Sequence, residues 1–335
     1  MLATILYNAP SLPPEHADYA QEAGVLESVE AVEASLASLG HSSQRMAVGA
    51  DPVSLALELG RTRADVLVNL FEGFHGSGEG ESQVAGLLEL RGLPFTGTGS
   101  DGLALVRDKA RAKWLLAGAG LTTPDFQLVA PGAPLDVARF KSALAVGPLI
   151  VKPAHEDASL GIGQASVVTD LVSLASRIDE VGRRYGAMLV EQFIAGREFN
   201  AGIIALPEAE VLPLAEIEFP SDGRVPWNVV TYDAKWTPGS VEFDAGTPVR
   251  CPAAAAPELA AEIRRVSLAA FRLAGCRDYA RVDLRVDPHG RVFILEINAN
   301  PDISPSAGLA RAIRVSGLGY DDFVGRLLET ARRRS

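Results

Sequence analysis

The sequence predicts an α/β fold with α+β parts, and three observations carry the prediction. Apolar strand-like runs alternate with helical patterns through the N-terminal third, an order that builds a parallel sheet covered by helices. Near the other end, two alternating runs flank Asp287-Pro288-His289-Gly290, a turn-forming set, and read as a β-hairpin. At 335 residues and 47% hydrophobic content the chain can bury a large core, with length for two or three domains.

Taken in order, Leu2–Tyr7 reads as a buried strand and Glu15–Leu39, stopped by Gly40, as one or two helices. Asp51 and Pro52 open a short helix, aspartate as cap and proline at the first helical position, ahead of a strand at Asp65–Leu70. In this β-α-β order the ligand face lies at the carboxyl ends of the strands. That places a substrate loop at Phe71–Glu81, with His75 as its candidate contact. The same glycines fit a plain connection with His75 on the surface. Glu81–Arg91 is helical, Leu93–Thr96 a short strand, and Gly97-Thr98-Gly99 a turn.

Asp108–Leu116 is a helix ending at Gly118 to Gly120, and Leu121–Pro124 marks a domain boundary before the strand Phe126–Val129. The strand Pro148–Pro153 delivers Lys152 at the root of a small-residue loop, Ala154–Gly163, whose backbone N–H groups can fold over phosphates. An exposed hairpin loop is the alternative, and Glu156 and Asp157 would repel a phosphate. Asp170 caps a helix to Arg184, and the strand Met188–Ile194 ends in Ala195–Glu198. Apolar groups beside acceptors suit a purine there, although core packing with two solvated glutamates is locally the simpler account. Strands at Glu198–Ala205 and Glu210–Phe219 precede a Gly- and Pro-rich stretch, Pro220–Pro252, that carries Lys235 and is too long for a turn. Pro257–Ala274 is an amphipathic helix stopped by Gly275, and helices at Ser306–Val315 and Asp321–Arg332 end the chain.

If only Asp287–Gly290 lie in the hairpin turn, Val286 pairs with Arg291, Arg281 lies opposite Glu296 and Asp283 opposite Ile294. The side-chain period of two then puts Arg281, Asp283, Glu296 and Asn298 on one face. Val282, Leu284, Phe293, Leu295 and Ile297 share the other. Two carboxylates and an amide form the all-oxygen set that Mg²⁺ takes. A solvated face with an ordinary Arg281–Glu296 pair is the open alternative.

A net charge of −11 and a pI near 5.0 argue against a nucleic-acid surface, since no basic stripe exists beyond the tail Arg332-Arg333-Arg334. The two cysteines, Cys251 and Cys276, lack metal-ligand spacing and fit a reducing cytoplasm. No apolar run is long enough to span a membrane, and Leu2–Tyr7 lacks the flanks of a signal peptide.

Together the motifs resemble the ATP-grasp carboxylate–amine ligases, within them the D-alanine–D-alanine ligase-like group. The resemblance runs from Phe74-His75-Gly76 through Phe95-Thr96-Gly97, Asp108-Lys109, Val151-Lys152-Pro153, Glu191–Phe199, Asp233-Ala234-Lys235 and Ala280–Asp283 to Leu295–Asn298. It implies an ATP-grasp architecture: a substrate-side domain over residues 1–105, a central subdomain over 106–195 and a C-terminal subdomain over 196–335. It further implies that Lys109, Lys152, Lys235 and Ser159 hold ATP phosphates, that Glu191 accepts from the adenine amino group, and that Phe193 and Ile194 flank the base. Glu198 would hold the ribose, and Asp283, Glu296 and Asn298 would ligate Mg²⁺ or Mn²⁺. Arg281 and His75 would serve catalysis at the reacting carboxyl group, with the backbone near Asp302 at the oxyanion.

Departures from the group's pattern fall on the acceptor half. Ala158 and Trp236 stand where D-alanine ligases have a serine and a tyrosine, Asn300-Pro301-Asp302 replaces serine–proline–glycine, and the loop after His75 is shorter. These imply small-molecule carboxylate and amine substrates, the carboxylate other than D-alanine, with Trp236, Asp302 and Ser306 as substrate contacts. A homodimer is open to the chain, and the sequence does not fix the oligomeric state. A D-alanine–D-alanine ligase proper, an ATP-grasp phosphotransferase and a non-catalytic nucleotide-binding protein are the alternatives.

Overall fold

The structure is a computed structural model. It describes all residues except 11, 14, 16–18, 50, 75–77, 79 and 335. Its first part runs β1 (Leu2–Asn8), α1 (Tyr19–Ala23), α2 (Val25–Ser38), β2 (Ser42–Val48), α3 (Pro52–Arg61) and β3 (Val66–Leu70). The three strands form a parallel sheet in the order β2-β1-β3. As expected, Asp51 caps α3, accepting from the N–H groups of Val53 and Ser54 at 3.0 and 3.2 Å. Strand β2 was not expected from the sequence. It pairs only with β1, and its polar run Ser42–Arg45 belongs to an edge with little to bury.

After α4 (Glu81–Leu90) the expected strand Leu93–Thr96 reduces to a single parallel bridge, Phe95 to Leu67. Pro94 can accept from Leu67 but has no N–H to extend the ladder. Two helices come next, α5 (Ser100–Arg107), which the glycines had hidden, and α6 (Lys109–Gly118). Gly102 inside α5 is a packing requirement, because a Cβ there would lie 2.5 Å from the Thr98 methyl and 3.0 Å from the Ala274 carbonyl oxygen. Asp108 breaks the two helices apart and caps α6 through the N–H of Arg111 at 3.0 Å.

The next strands and helices are β4 (Phe126–Val129), α7 (Val137–Val146), β5 (Leu149–Pro153), β6 (Val167–Val168), α8 (Leu171–Tyr185) and β7 (Met188–Gln192). They give a four-stranded antiparallel sheet, β4-β7-β5-β6, with α8 on one face. Then come β8 (Arg197–Ala205), β9 (Ala209–Val211), β10 (Ala215–Ile217), α9 (Tyr232–Trp236), α10 (Val241–Ala245), β11 (Val249–Arg250) and α11 (Pro257–Leu273). The expected strand Glu210–Phe219 is thus two, interrupted at Pro213, which cannot donate to a ladder. Finally β12 (Asp278–Val286), β13 (Val292–Asn298), α12 (Gly308–Val315) and α13 (Tyr320–Arg332) complete the chain. The large sheet runs β11-β10-β8-β12-β13, with β9 on β8. Helix α13 returns to pack on α2 and β3, so Phe323 and Leu327 share a core with Ile5 and Val29 of the first sheet.

The β12–β13 hairpin corrects the expected register. Val286 pairs with Val292, not Arg291, because the Asp287 carboxylate accepts from the N–H groups of both His289 and Arg291 at 2.9 Å and draws Arg291 into the turn. A second irregularity falls at Leu295: Leu284 pairs with Ile294, yet Asp283 pairs with Glu296 and Arg281 with Asn298. Ile294 is therefore in the core, 1% exposed, and Phe293 lies opposite Arg285. Each extra residue reverses the facing of the strand beyond it, so the two together restore it. Arg281, Asp283, Glu296 and Asn298 do share a face.

Candidate active site

Paired residues of antiparallel strands point to the same side. Asp283 pairs with Asn200 of β8 as well as Glu296 of β13, and Arg285 pairs with Glu198, so β8, β12 and β13 present one polar surface. Arg281 grips Asp283 through Nε and Nη2 at 2.7 and 2.8 Å, and Asn200 donates to the same carboxylate at 2.7 Å. The partner of Arg281 is thus Asp283, two residues along its own strand, and not Glu296 as the expected register had it.

Cations approach this surface from the central sheet. Lys109 at the start of α6 donates to the Glu156 carbonyl at 2.6 Å and Asp157 at 2.7 Å, and stands 3.8 Å from Glu296. Burial alone would raise the Glu296 carboxyl, yet Lys109, Lys152, Arg281 and Lys235 bring it down to about 2. It is anionic at neutral pH. Burial likewise works against the Lys109 ammonium, but Asp157 and Glu296 outweigh it and raise the group above the ordinary lysine value.

Behind them lies a buried triad. Glu191 on β7 receives Lys152 of β5 at 2.6 Å and Lys113 of α6 at 2.9 Å, and Lys113 also donates to the Thr123 hydroxyl at 2.7 Å. Burial pushes Lys113 down to about 8 despite Glu191. Sequence reasoning missed Lys113. Its signal was the four-residue spacing from Lys109, which returns both ammonium groups to one helix face.

Phe193, Ile194 and Glu198, which the nucleoside reading named, come together on a residue it did not include. Arg285 pairs with Glu198 at 2.7 Å and donates to the Ile194 carbonyl at 2.8 Å. Trp227 meets Phe193 edge-on, ring centroids 5.5 Å apart.

The loop after Lys152 has a strained path: Ala158 and Ser159 both take positive φ, 53° and 65°. It is latched to the segment carrying Lys235. The Trp236 indole N–H donates to the Ala158 carbonyl at 3.4 Å, and the Tyr232 N–H to the Ile162 carbonyl at 2.9 Å. Trp236 is thereby part of a closure contact between two loops.

Asp302 and Ser306 sit elsewhere, against α2. Asp302 accepts from the hydroxyls of Ser28 at 2.9 Å and Ser304 at 3.0 Å, and Ser306 donates to Glu27 at 3.0 Å. Asn300 spans Glu81 at 2.8 Å and the Phe71 carbonyl at 3.1 Å. Glu72 lies exposed with Asp302 and Glu81 nearby, and burial lifts the partly buried Glu81 to about 7. His75 lies outside the described residues.

The oxygens of Asp283, Glu296 and Asn298 suit a hard divalent cation, with two anionic donors and one neutral donor on one face. The match to phosphate is less direct, because Asp157 already occupies Lys109. That carboxylate is 61% exposed.

Comparisons with known proteins bear on the whole arrangement. Residues 115–329 match the family model for the D-ala D-ala ligase C-terminus. An uncharacterized protein, y4sG, of Sinorhizobium fredii is 35% identical over 82% of this chain and 77% of its own length. The D-alanine–D-alanine ligase of Xanthomonas axonopodis pv. citri is 32% identical, covering 84% of each chain. Among solved structures, a D-alanine–D-alanine ligase from Bacillus anthracis complexed with ATP superposes with a TM-score of 0.77. It covers 99% of this chain and 97% of that one at 20% identity, a likeness of fold.

Proposed function

Since the chain belongs to the D-alanine–D-alanine ligase family of ATP-grasp enzymes, we propose that it is an ADP-forming ligase joining a carboxylate to an amine through an acyl phosphate. The observation that carries this reading is the charge pattern of one cleft: anionic Glu296 and Asp283 ringed by Lys109, Lys152, Lys235 and Arg281. A tetra-anionic nucleotide needs those lysines, and a carboxylate, a poor electrophile, needs its repulsion from the γ-phosphate cancelled before it attacks.

In this mechanism a carboxylate oxygen of the first substrate attacks the γ-phosphorus of ATP, and the bond to the β-bridging oxygen breaks to release ADP. Lys109, Lys152 and Lys235 hold the phosphate oxygens as charge shifts toward the leaving group. Asp283, Glu296 and Asn298 would hold Mg²⁺ or Mn²⁺, which would supply further charge neutralisation during the transfer. The neutral amine of the second substrate then attacks the acyl carbon. Arg281 steadies the oxyanion, phosphate leaves, and the amine gives up a proton. In the nucleoside slot, Phe193 and Ile194 flank the base and Glu198 takes the ribose.

The acceptor end supports an amine substrate, and the departures at Ala158, Trp236 and Asn300–Asp302 favour a substrate other than D-alanine. Burial raises the Glu81 carboxyl to about 7, which suits it to taking the proton of an incoming ammonium. Cytoplasmic placement and a homodimer belong to the same proposal. The free Cys251 and Cys276 suit a reducing compartment, and light scattering on the purified chain tests the dimer. Among the described residues no helix is long and apolar enough to cross a membrane.

ADP release measured with pooled amino acids and small carboxylic acids tests the activity. Release that requires both a carboxylate and an amine is expected, and release without any amine would point to a phosphotransferase. Efficient D-alanyl-D-alanine formation at ordinary D-alanine concentrations would show that the altered acceptor end does not change the substrate.

A further inference from the structure

Arg285 is 3% exposed and sits at the nucleoside end of the cleft, directly across from Glu198. Its Nε and Nη2 both donate to Oε2 of Glu198, at 2.9 and 2.7 Å, and neither is bonded to Oε1. Nη1 donates to the Ile194 carbonyl at 2.8 Å, and Nη2 also reaches the Asn228 carbonyl. The guanidinium carbon lies 4.8 Å from the Phe193 ring centroid and 5.6 Å from that of Phe219.

A guanidinium that serves only as a strut ordinarily forks across both oxygens of its carboxylate. Here the fork closes on one oxygen. The other is left as an acceptor beside the base-flanking residues Phe193 and Ile194, which the same arginine also touches. An unpaired Glu198 would repel the polyphosphate, and a rotating one would present no fixed acceptor. We propose that Arg285 is the positioning residue of the nucleotide site. It holds Glu198 so that Oε1 receives a ribose hydroxyl, cancels its charge, and ties the strand end at Ile194 to the segment Phe219–Asn228 that covers the base. The inference rests on the reading of Phe193, Ile194 and Glu198 as the nucleoside slot.

Calorimetric titration with ATP, 2′-deoxy-ATP and 3′-deoxy-ATP, with Mg²⁺ present, tests it without knowledge of the other substrates. The parent is expected to prefer ATP over at least one deoxy analogue by about tenfold, one charge-assisted hydrogen bond's worth. R285M is expected to bind ATP about tenfold more weakly and to lose the preference, while R285K recovers part of both. R285M that keeps the preference overturns the proposal, and so does R285K with the parent's full preference, which would make the fork unnecessary. Where R285M does not fold, R285K decides alone. E198A separates the two levels. If it leaves the preference intact, or the parent shows none, the nucleoside slot itself is misassigned. If E198A abolishes the preference while R285M retains it, only the role of Arg285 fails.

Discussion

Glu191→Gln removes the one negative charge between two buried ammonium groups. Lys113 and Lys152 reach its oxygens at 2.9 and 2.6 Å, and the three residues are 1%, 6% and 2% exposed in the order Lys113, Lys152, Glu191. Removing one partner of a buried pair costs about 3–5 kcal/mol, because an uncompensated charge remains. That is a large part of the roughly 5–15 kcal/mol that holds a typical fold. At about 2–4 °C per kcal/mol, the melting temperature should fall by roughly 6–20 °C at pH 7. The sign of the pH dependence adds a second constraint. Lys113 already stands at about 8 against 10.5 for a free lysine, and loss of Glu191 lowers it further. Between the folded value and 10.5 the unfolded chain binds more protons, so stability rises with pH across that window, and more in the variant than in the parent. Thermal melts followed by circular dichroism at pH 7 and pH 9.5 measure both effects. A variant melting within about 2 °C of the parent at pH 7, or one whose deficit grows with pH, would refute the triad's electrostatic account.

Three further outcomes rest on the same geometry. Glu296→Gln should leave the fold intact by circular dichroism while cutting ADP release by about a thousandfold or more, since charge placement dominates phosphoryl transfer; a fully active variant would remove Glu296 from the metal site. Glu81→Gln deletes a carboxyl raised from 4.5 to about 7, whose folded form binds the extra proton in that window, so parent stability falls as pH rises through it. The variant, whose amide oxygen can still accept from Asn300, should gain about 1–3 kcal/mol at pH 8.5 and nothing at pH 4, read from urea midpoints. Gly196→Ala should cost about 2–4 kcal/mol or prevent folding, because φ is +136° and the new Cβ would lie 2.1 Å from the Val286 carbonyl oxygen; a urea midpoint equal to the parent's would contradict the close approach.

What was legible in the sequence depended on whether a local signal and a long-range one agreed. The strands β1, β3, β5 and β7 are short apolar runs bounded by polar turns, and a buried strand is the one element that such a run can form at that length. Strand β2 escaped because an edge needs only one partner and little apolar content, and α5 because Gly102 speaks against a helix until the Thr98 methyl and the Ala274 carbonyl are seen beside it. In the site, the charged ends of strands stood out, whereas Lys113 and Arg285 did not. Both act on a partner distant in sequence, Glu191 and Glu198, and no spacing rule connects them.

The hairpin shows why a reading can be wrong in register and right in facing. Facing depends only on whether a residue's offset is odd or even, so a single slip would have turned Glu296 and Asn298 into the core and left Asp283 alone on its face. Two slips occurred, one where Asp287 enlarges the turn and one at Leu295, and the site face was restored. The segment between the slips kept the reversed facing, which brings Phe293 to the side of Arg285 and sends Ile294 into the core. The enlarged turn sets Phe293 opposite Arg285, and the bulge at Leu295 then sets Glu296 opposite Asp283. A straight hairpin of this sequence could supply one of these or the other, but not both.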